Sequence, residues 1–335
     1  MKLLKIFFCF ALSLFIFASC QKNIEFNEEI SKPMVVVHSF LSPDSVVSAR
    51  VSLSRFFLND TASFKTVDNA DVAVIVNGTL KEKMSLITKG QYRGTYKPTI
   101  GDIVKLVVKV PSMNEVSSQT SFCKPPVINS VDTTKMIQRS DFSINGNDTI
   151  SLTKIFKINY TLKFTDDANE KNYYRLVVRR REHVFEPIWG QLVEKVTDGY
   201  YFDFTDAIAG NNTSTNPITG TITGENTTSS NKYNVFSDEL INGKTYSLTF
   251  SAIYLLYKRY SSNMNYLSGG AAEKIEVFVS LQSITKDYYY YLKSRSASGG
   301  DSFFSEPVQI SNNIVGGIGF LGSYTSSNVV KFDFK

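Results

Sequence analysis

Near the carboxyl end, Gly317-Ile318-Gly319-Phe320-Leu321-Gly322 spells the glycine pattern that lets a backbone approach a pyrophosphate. That pattern works only between a strand and a helix whose N-terminus faces the phosphates. The residues after Gly322 read as strand, so a glycine-rich bend or bulge beside the last strands is expected instead. Asp141-Phe142-Ser143-Ile144-Asn145-Gly146 imitates the start of a calcium loop, but Leu152 stands where a bidentate Glu is required, and a hairpin is expected. Asp166, Asp167 and Asn169, with Glu170, are hard oxygen donors close enough to hold a cation; turn chemistry accounts for Asp and Asn there equally well, and no metal is expected.

Nucleophilic chemistry finds little support. His38 and His183 are far apart and lie in no metal-binding spacing, and no Gly-x-Ser-x-Gly elbow occurs. Cys123, in Ser121-Phe122-Cys123-Lys124, has no base near it in sequence and reads as a small buried hydrophobe. A hydrolase of glycans or peptides would need carboxylates converging in a pocket, and no local signature announces one. The chain is therefore expected to be no enzyme and to carry no cofactor. Two groups fit ligand capture better. Arg175, Arg179 and Arg181 share one strand face with Tyr173 and Val177, an arrangement that grips carboxylates or phosphates, or else forms a solvated outer face. Tyr254, Tyr257, Tyr260 and Tyr266, with Lys258 and Arg259 between them, either form a binding loop or pack a sandwich.

The frame that must position these residues is β. The 335 residues are 42% hydrophobic and 20% charged, enough for a packed core, and 25 Phe and 18 Tyr with abundant Val, Ile and Thr favour pleated surfaces. The formal net charge of +5 falls further once Lys2 and Lys5 are removed, and gives no case for a nucleic-acid partner.

Lys2 and Lys5, the apolar stretch from Ile6 to Phe17 and the exit Ala18-Ser19-Cys20 read as a secretory leader, too short to cross a bilayer as a stable helix. Phe17-Ala18-Ser19-Cys20 resembles the lipobox of bacterial lipoproteins, which implies cleavage after residue 19 and lipidation of Cys20. Residues 20–32, with Glu25, Glu28 and Glu29, read as a tether.

Beyond the tether, short apolar alternations recur. Met34–Val37, Ser48–Leu53, Ala70–Val76 before the Asn77-Gly78 turn, and Ile103–Val110 fit a first β-sandwich over residues 33–124. Pro125-Pro126 breaks the ladder. A larger second sandwich is expected over 127–335, with strands at Ile155–Phe164 and Tyr173–Val184 and a flexible Asn/Thr/Ser/Gly insert over 210–232. One short helix is predicted near 284–297: Ser283 or Thr285 caps it, Tyr288, Tyr291 and Leu292 face inward, and Gly299-Gly300 stops it. The fold class is mainly all-β, as two immunoglobulin-like or transthyretin-like sandwiches.

The ordered motifs Val67-Asp68-Asn69-Ala70-Asp71-Val72, Gly90-Gln91-Tyr92, Pro125-Pro126-Val127-Ile128-Asn129-Ser130-Val131, Asn172-Tyr173-Tyr174-Arg175, Ser283-Ile284-Thr285-Lys286-Asp287-Tyr288-Tyr289, Phe304-Ser305-Glu306-Pro307-Val308 and Ser311-Asn312-Asn313-Ile314-Val315-Gly316-Gly317-Ile318-Gly319 resemble the bacterial outer-membrane lipoprotein family known as domain of unknown function 4249. Asn129 departs from the family's expected Asp. The resemblance implies a lipid-anchored outer-membrane protein, facing the surface or the periplasm, encoded near TonB-dependent receptors; it carries over no catalytic residue. The expected role is a binding or accessory component of such an uptake system, with the bilayer and a receptor as partners; a structural or adhesive envelope protein is the alternative. Asp44-Ser45-Val46, Asp60-Thr61-Ala62, Asp132-Thr133-Thr134 and Asp148-Thr149-Ile150 resemble an O-glycosylation signal, and chance in a Ser/Thr-rich chain accounts for them equally well.

Overall fold

The computed structural model describes residues 32–55, 64–145, 149–188, 191–200, 202–204, 206–209, 231–261, 266–267, 272–298 and 309–335. The leader, most of the tether, Cys20 and most of the polar insert lie outside them. The described residues of 34–54 and from 64 onward belong to one compact unit.

Its strands, in chain order, are β1 (Val35–Leu41), β2 (Ser48–Leu53), β3 (Asp71–Val76), β4 (Thr79–Lys83), β5 (Ser85–Thr88), β6 (Gln91–Arg93), β7 (Ile103–Lys109) and β8 (Val116–Ser121) in the first part. The second part has β9 (Val127–Asn145), β10 (Thr149–Thr165), β11 (Tyr173–Ile188), β12 (Gln191–Gly199), β13 (Val235–Ser237), β14 (Thr245–Ser261), β15 (Tyr266–Leu267), β16 (Lys274–Ile284), β17 (Ile318–Ser326) and β18 (Val330–Phe334). Helix α1 (Lys286–Ala297) sits between β16 and β17. The protein is mainly β, as its composition requires.

Among the described residues the strands form three sheets. A ten-stranded sheet runs β12-β11-β16-β17-β1-β2-β6-β5, with β13 on β11 and β18 on β16; two four-stranded sheets run β4-β3-β7-β8 and β15-β14-β10-β9. The first small sheet closes a core with Val37, Val51, Val72, Val74, Val104, Leu106 and Leu321; the second closes a larger one with Phe156, Tyr160, Phe164, Leu176, Phe250, Val277 and Leu281. Alternation along β16 and β17 puts Leu281, Ser283, Thr325, Ser323 and Leu321 on one sheet face, so both small sheets pack on that face. Helix α1 covers the other, with Tyr288, Tyr291 and Leu292 packed on Phe320, Tyr173 and Ile284.

The proline pair falls between β8 and β9 and separates two cores, but the chain does not simply divide there. β17 returns to pair in parallel with β1, from Val36↔Ile318 to Leu41↔Ser323, and Ile314 and Leu321 complete the first core. The glycine pattern serves this pairing. Gly319 has φ +121°, and a Cβ there would overlap the Val37 backbone; one at Gly317 would lie 2.7 Å from the Val35 carbonyl oxygen. Gly317 and Gly319 thus let β17 seat against β1, and no phosphate-binding helix follows.

Other expectations meet the structure closely. Asn77 and Gly78 take φ +50° and +83° in the β3–β4 turn, and β9 and β10 form a hairpin in which Asp141, where a calcium loop would have had to begin, faces Thr153. The helix starts at Lys286 because Ile284 is the last residue of β16; Thr285 takes the N-cap position, but its hydroxyl makes no capping hydrogen bond. The insert ends earlier than expected: Asn231 is buried, donates to the Ala209 and Val235 carbonyls and accepts from the Val235 N–H. Ser45 lies in an exposed turn and Thr133 on an exposed part of β9.

Buried carboxylates fasten the loops. Asp102 accepts from the Tyr96 hydroxyl at 2.5 Å, the Thr99 N–H at 2.7 Å, the Thr99 hydroxyl and Asn77 Nδ2. Burial alone would raise its pKa, but these donors outweigh it and hold the carboxyl below the ordinary range. Burial and the Asp102 charge together push Tyr96 up to about 12. A group with a lowered folded-state pKa stabilises above its unfolded value and loses that contribution as pH falls through the folded one. Asp102→Asn should therefore cost about 1.5–3 kcal/mol at neutral pH. In urea titrations the difference from wild type should shrink as pH drops below about 4; a gap that stays constant down to pH 2 would show that the charge contributes nothing.

Candidate functional site: the arginine face of the long sheet

Along β11, Tyr174, Leu176 and Val178 point into the large core, so Tyr173, Arg175, Val177, Arg179, Arg181 and His183 share the opposite face of the long sheet. The face expected from sequence is therefore present, and its cross-strand neighbours come from elements that the sequence did not connect. Register sets Arg179 opposite Phe278 and Phe278 opposite Lys331; in the next row Arg181 faces Glu276, and Glu276 faces Asp333. Strand β12 brings Asp198 beside Arg181 and Glu194 beside His183.

Glu276 anchors this array. It is 6% exposed and accepts from Lys331 Nζ at 2.6 Å, Lys274 Nζ at 2.9 Å and His183 Nε2 at 2.9 Å. Lys331 first, then Lys274 and His183, hold its carboxyl far below the usual carboxylate range. His183 also meets Glu194 through Nδ1. Burial alone would lower the imidazole's pKa, but Glu194 and Glu276 outweigh it and raise it above the ordinary value. When protonated, His183 donates through both nitrogens and bridges β12 and β16.

Cations gather around Phe278. Arg179 Cζ lies 4.5 Å from its ring centre, Arg181 Cζ 5.6 Å and Lys331 Nζ 5.8 Å. Arg181 forks onto Asp198, at 3.0 Å through Nε and 3.5 Å through Nη2. Arg179 and Arg175 make no ion pair among the described residues; Arg175 Nη1 donates to the Tyr288 hydroxyl at 3.5 Å, while its Nε and Gln282 Oε1, which belong to residues directly opposed across β11 and β16, are buried without partners. A guanidinium braced on an aromatic ring keeps its N–H fork available for a carboxylate or phosphate. Arg179 is the residue of this face best placed to take one.

The other expected contacts fall elsewhere. Tyr254 is 1% exposed, stacks on Phe334 at 5.5 Å and shares a hydrogen bond with the Tyr160 hydroxyl, so it is a core residue and no ligand contact. The reason is that β14 runs unbroken to Ser261, and strand alternation turns Tyr254 inward where a loop would have exposed it. Burial pushes its hydroxyl up to about 12. Tyr257 is half-buried, and the side chains of Tyr260 and Tyr266 lie outside the described residues.

The acidic turn does not converge. Asp166 points inward and accepts from the Tyr174 hydroxyl and the Gly243 N–H; Asp167 accepts from Asn169 and meets Lys124 at 3.5 Å. No three His, Cys, Asp or Glu side chains gather as a metal cluster among the described residues. Burial pushes the Cys123 thiol up and, followed by Arg295 and Arg50, pushes His38 down. His38 lies on β1 and His183 on β11, well apart in the strand order.

Sequence reasoning missed Glu276, Lys274 and Phe278, because only the β11–β16 register brings them under the arginines.

This chain belongs to the family described as domain of unknown function DUF4249, whose family model matches residues 21–328. No curated protein matches it.

The stabilising effect of a group whose pKa is raised on folding is full below its unfolded value and lost as pH rises through the folded one. For His183 the loss should begin above about 6.5. Amide exchange at Val196, opposite His183 in β12, should quicken as pH rises through that window, beyond the intrinsic base dependence, and His183→Gln should abolish the extra change. Identical profiles for both proteins would exclude the bridge.

Proposed function

We propose that this protein is a lipid-anchored outer-membrane protein whose β body acts as a binding or accessory component of a TonB-dependent uptake system, without catalysis of its own. The observation that carries the reading is the leader of Lys2, Lys5, Ile6–Phe17 and Ala18-Ser19 ending on Cys20, just ahead of a body whose first strand begins at Val35. Each buried acyl methylene contributes about 0.8 kcal/mol, so a multiply acylated Cys20 holds the body at a bilayer. The likeness to outer-membrane lipoproteins encoded near such receptors supplies the partner.

The side chains support binding over catalysis. Asp102, Asp166 and Asp206 spend their oxygens on tyrosine hydroxyls and backbone N–H groups of their own fold, with Tyr246 at 2.6 Å and the Thr249 N–H at 2.8 Å on Asp206. A carboxylate engaged in this way holds loops together and is not free to move protons. Arg179, exposed in part and in no ion pair among the described residues, is the contact this reading assigns to an acidic group on the partner or its cargo.

Cys20→Ala should move the protein from the membrane to the soluble fraction and abolish labelling by palmitate; a variant that stays membrane-bound would overturn the anchor. Recovery from membranes in mild detergent should bring a receptor-type β-barrel with the wild-type protein. Arg179→Glu should lower that recovery several-fold while leaving the unfolding free energy within about 0.5 kcal/mol of wild type. Recovery with no such partner would contradict the accessory role.

A further inference from the structure

Strand β8 is the outer strand of the first small sheet, and its free edge is only partly used. Ser117 exchanges two backbone hydrogen bonds with Val315, at 3.2 and 2.8 Å, so Ser117 directs its N–H and C=O away from β7. Because an antiparallel ladder alternates, Gln119 and Ser121 point the same way, while Ser118 and Thr120 face the β7 ladder. The Ser121 carbonyl accepts from the Ser323 hydroxyl. Gln119, between these two occupied positions, has neither its N–H nor its C=O paired among the described residues.

Open space lies where a partner would sit. A cleft of about 350 Å³ is lined by Ile103, Gln119, Ser121, Cys123, Thr285 and Lys286. A second of about 330 Å³ is lined by Lys105, Ser117, Gln119, Asn313 and Val315. Gln119 and Asp287 line both, so the two clefts adjoin along the β8 edge. The chain itself leaves this space. Continuing the Val315 bridge would set residue 313 opposite Gln119, but the Asn313 side chain is held by both backbone groups of Leu321, at 2.8 and 2.9 Å, and draws its segment toward β17.

We propose that the β8 edge is a binding site for a short extended peptide, which adds a strand opposite Gln119 and continues the pairing that Val315 begins. An unpaired strand edge is a template for another backbone, and backbone pairing supplies the affinity in this recognition mode. Val315 on one side and Ser323 on the other limit the occupant to a few residues. Lys105 and Lys286 beside the clefts offer contacts for its carboxyl end, Asp287, which lines both, a contact for its amino end, and half-exposed Ile103 a contact for one side chain. Binding here requires neither the lipid anchor nor a receptor, so failure of the receptor reading leaves this site standing, and the reverse holds too.

The test uses the full chain in detergent with tetra-alanine as probe and its fully N-methylated analogue as control. Tetra-alanine should shift the Gln119 and Ser121 amide resonances saturably, and the analogue, which lacks the donors, should bind at least about tenfold more weakly. Gln119→Pro removes the open N–H, and proline is tolerated on an outer edge because the bonds to β7 belong to Ser118 and Thr120; it should weaken binding to the same degree. Equal binding of the two peptides, or no saturable shift, would overturn the proposal. If the proline variant does not fold, the comparison of the two peptides on unaltered protein decides.

Discussion

The parallel pairing of β1 with β17 is the contact on which the rest of the molecule depends. It joins the first strand of the body to its next-to-last, with every intervening element between them, and it makes the long sheet continuous. The pairing demands backbone contact closer than a side chain allows, and Gly319 meets that demand with a left-handed φ and no Cβ. Once β17 is seated, Ser323 bonds the Thr120 hydroxyl and the Ser121 carbonyl, and Thr325 donates to the Cys123 carbonyl, which ties β8 to the same strand. Both small sheets then share one supporting surface. Such a contact carries a high loop-closure cost, because nearly the whole body lies between its two strands.

Much of this was legible in the residues. Strand alternation placed Val72, Val74 and Val76, the inward face of Ile155–Phe164 and the outer row Arg175, Arg179 and Arg181, and helical spacing picked out Tyr288, Tyr291 and Leu292. These are local properties, carried by periods of two and 3.6 residues. The return of β17 to β1 was not legible, because no local pattern encodes which distant strand a strand joins. For the same reason Glu276 could not be matched to Arg181, nor Phe278 to Arg179, before the β11–β16 register was known. Tyr254 was misplaced by its company: Lys258 and Arg259 made the segment look like an exposed loop, whereas β14 continues through it as a strand.

The arginine face shows how a charged sheet surface stays ordered. Glu276 is nearly buried, with two lysines and His183 around it, and these contacts tie β16 to β11 and β18. Arg181 is spent on Asp198. Arg179, braced on Phe278, is left over. Order and spare capacity on the same face are what a docking surface requires, since a rigid scaffold lowers the entropic cost of engaging a partner.

If β1 and β17 hold the molecule together, they couple the two cores. Amide exchange in urea at Val74 in the first core and Phe250 in the second, compared between wild type and Gly319→Ala, tests this directly. The substitution should weaken protection at both sites together, by about 3 kcal/mol or more. A Phe250 amide that keeps its full protection while Val74 loses its own, or no change at either, would mean that the cores are independent and that the shared strand pair does not hold the molecule together.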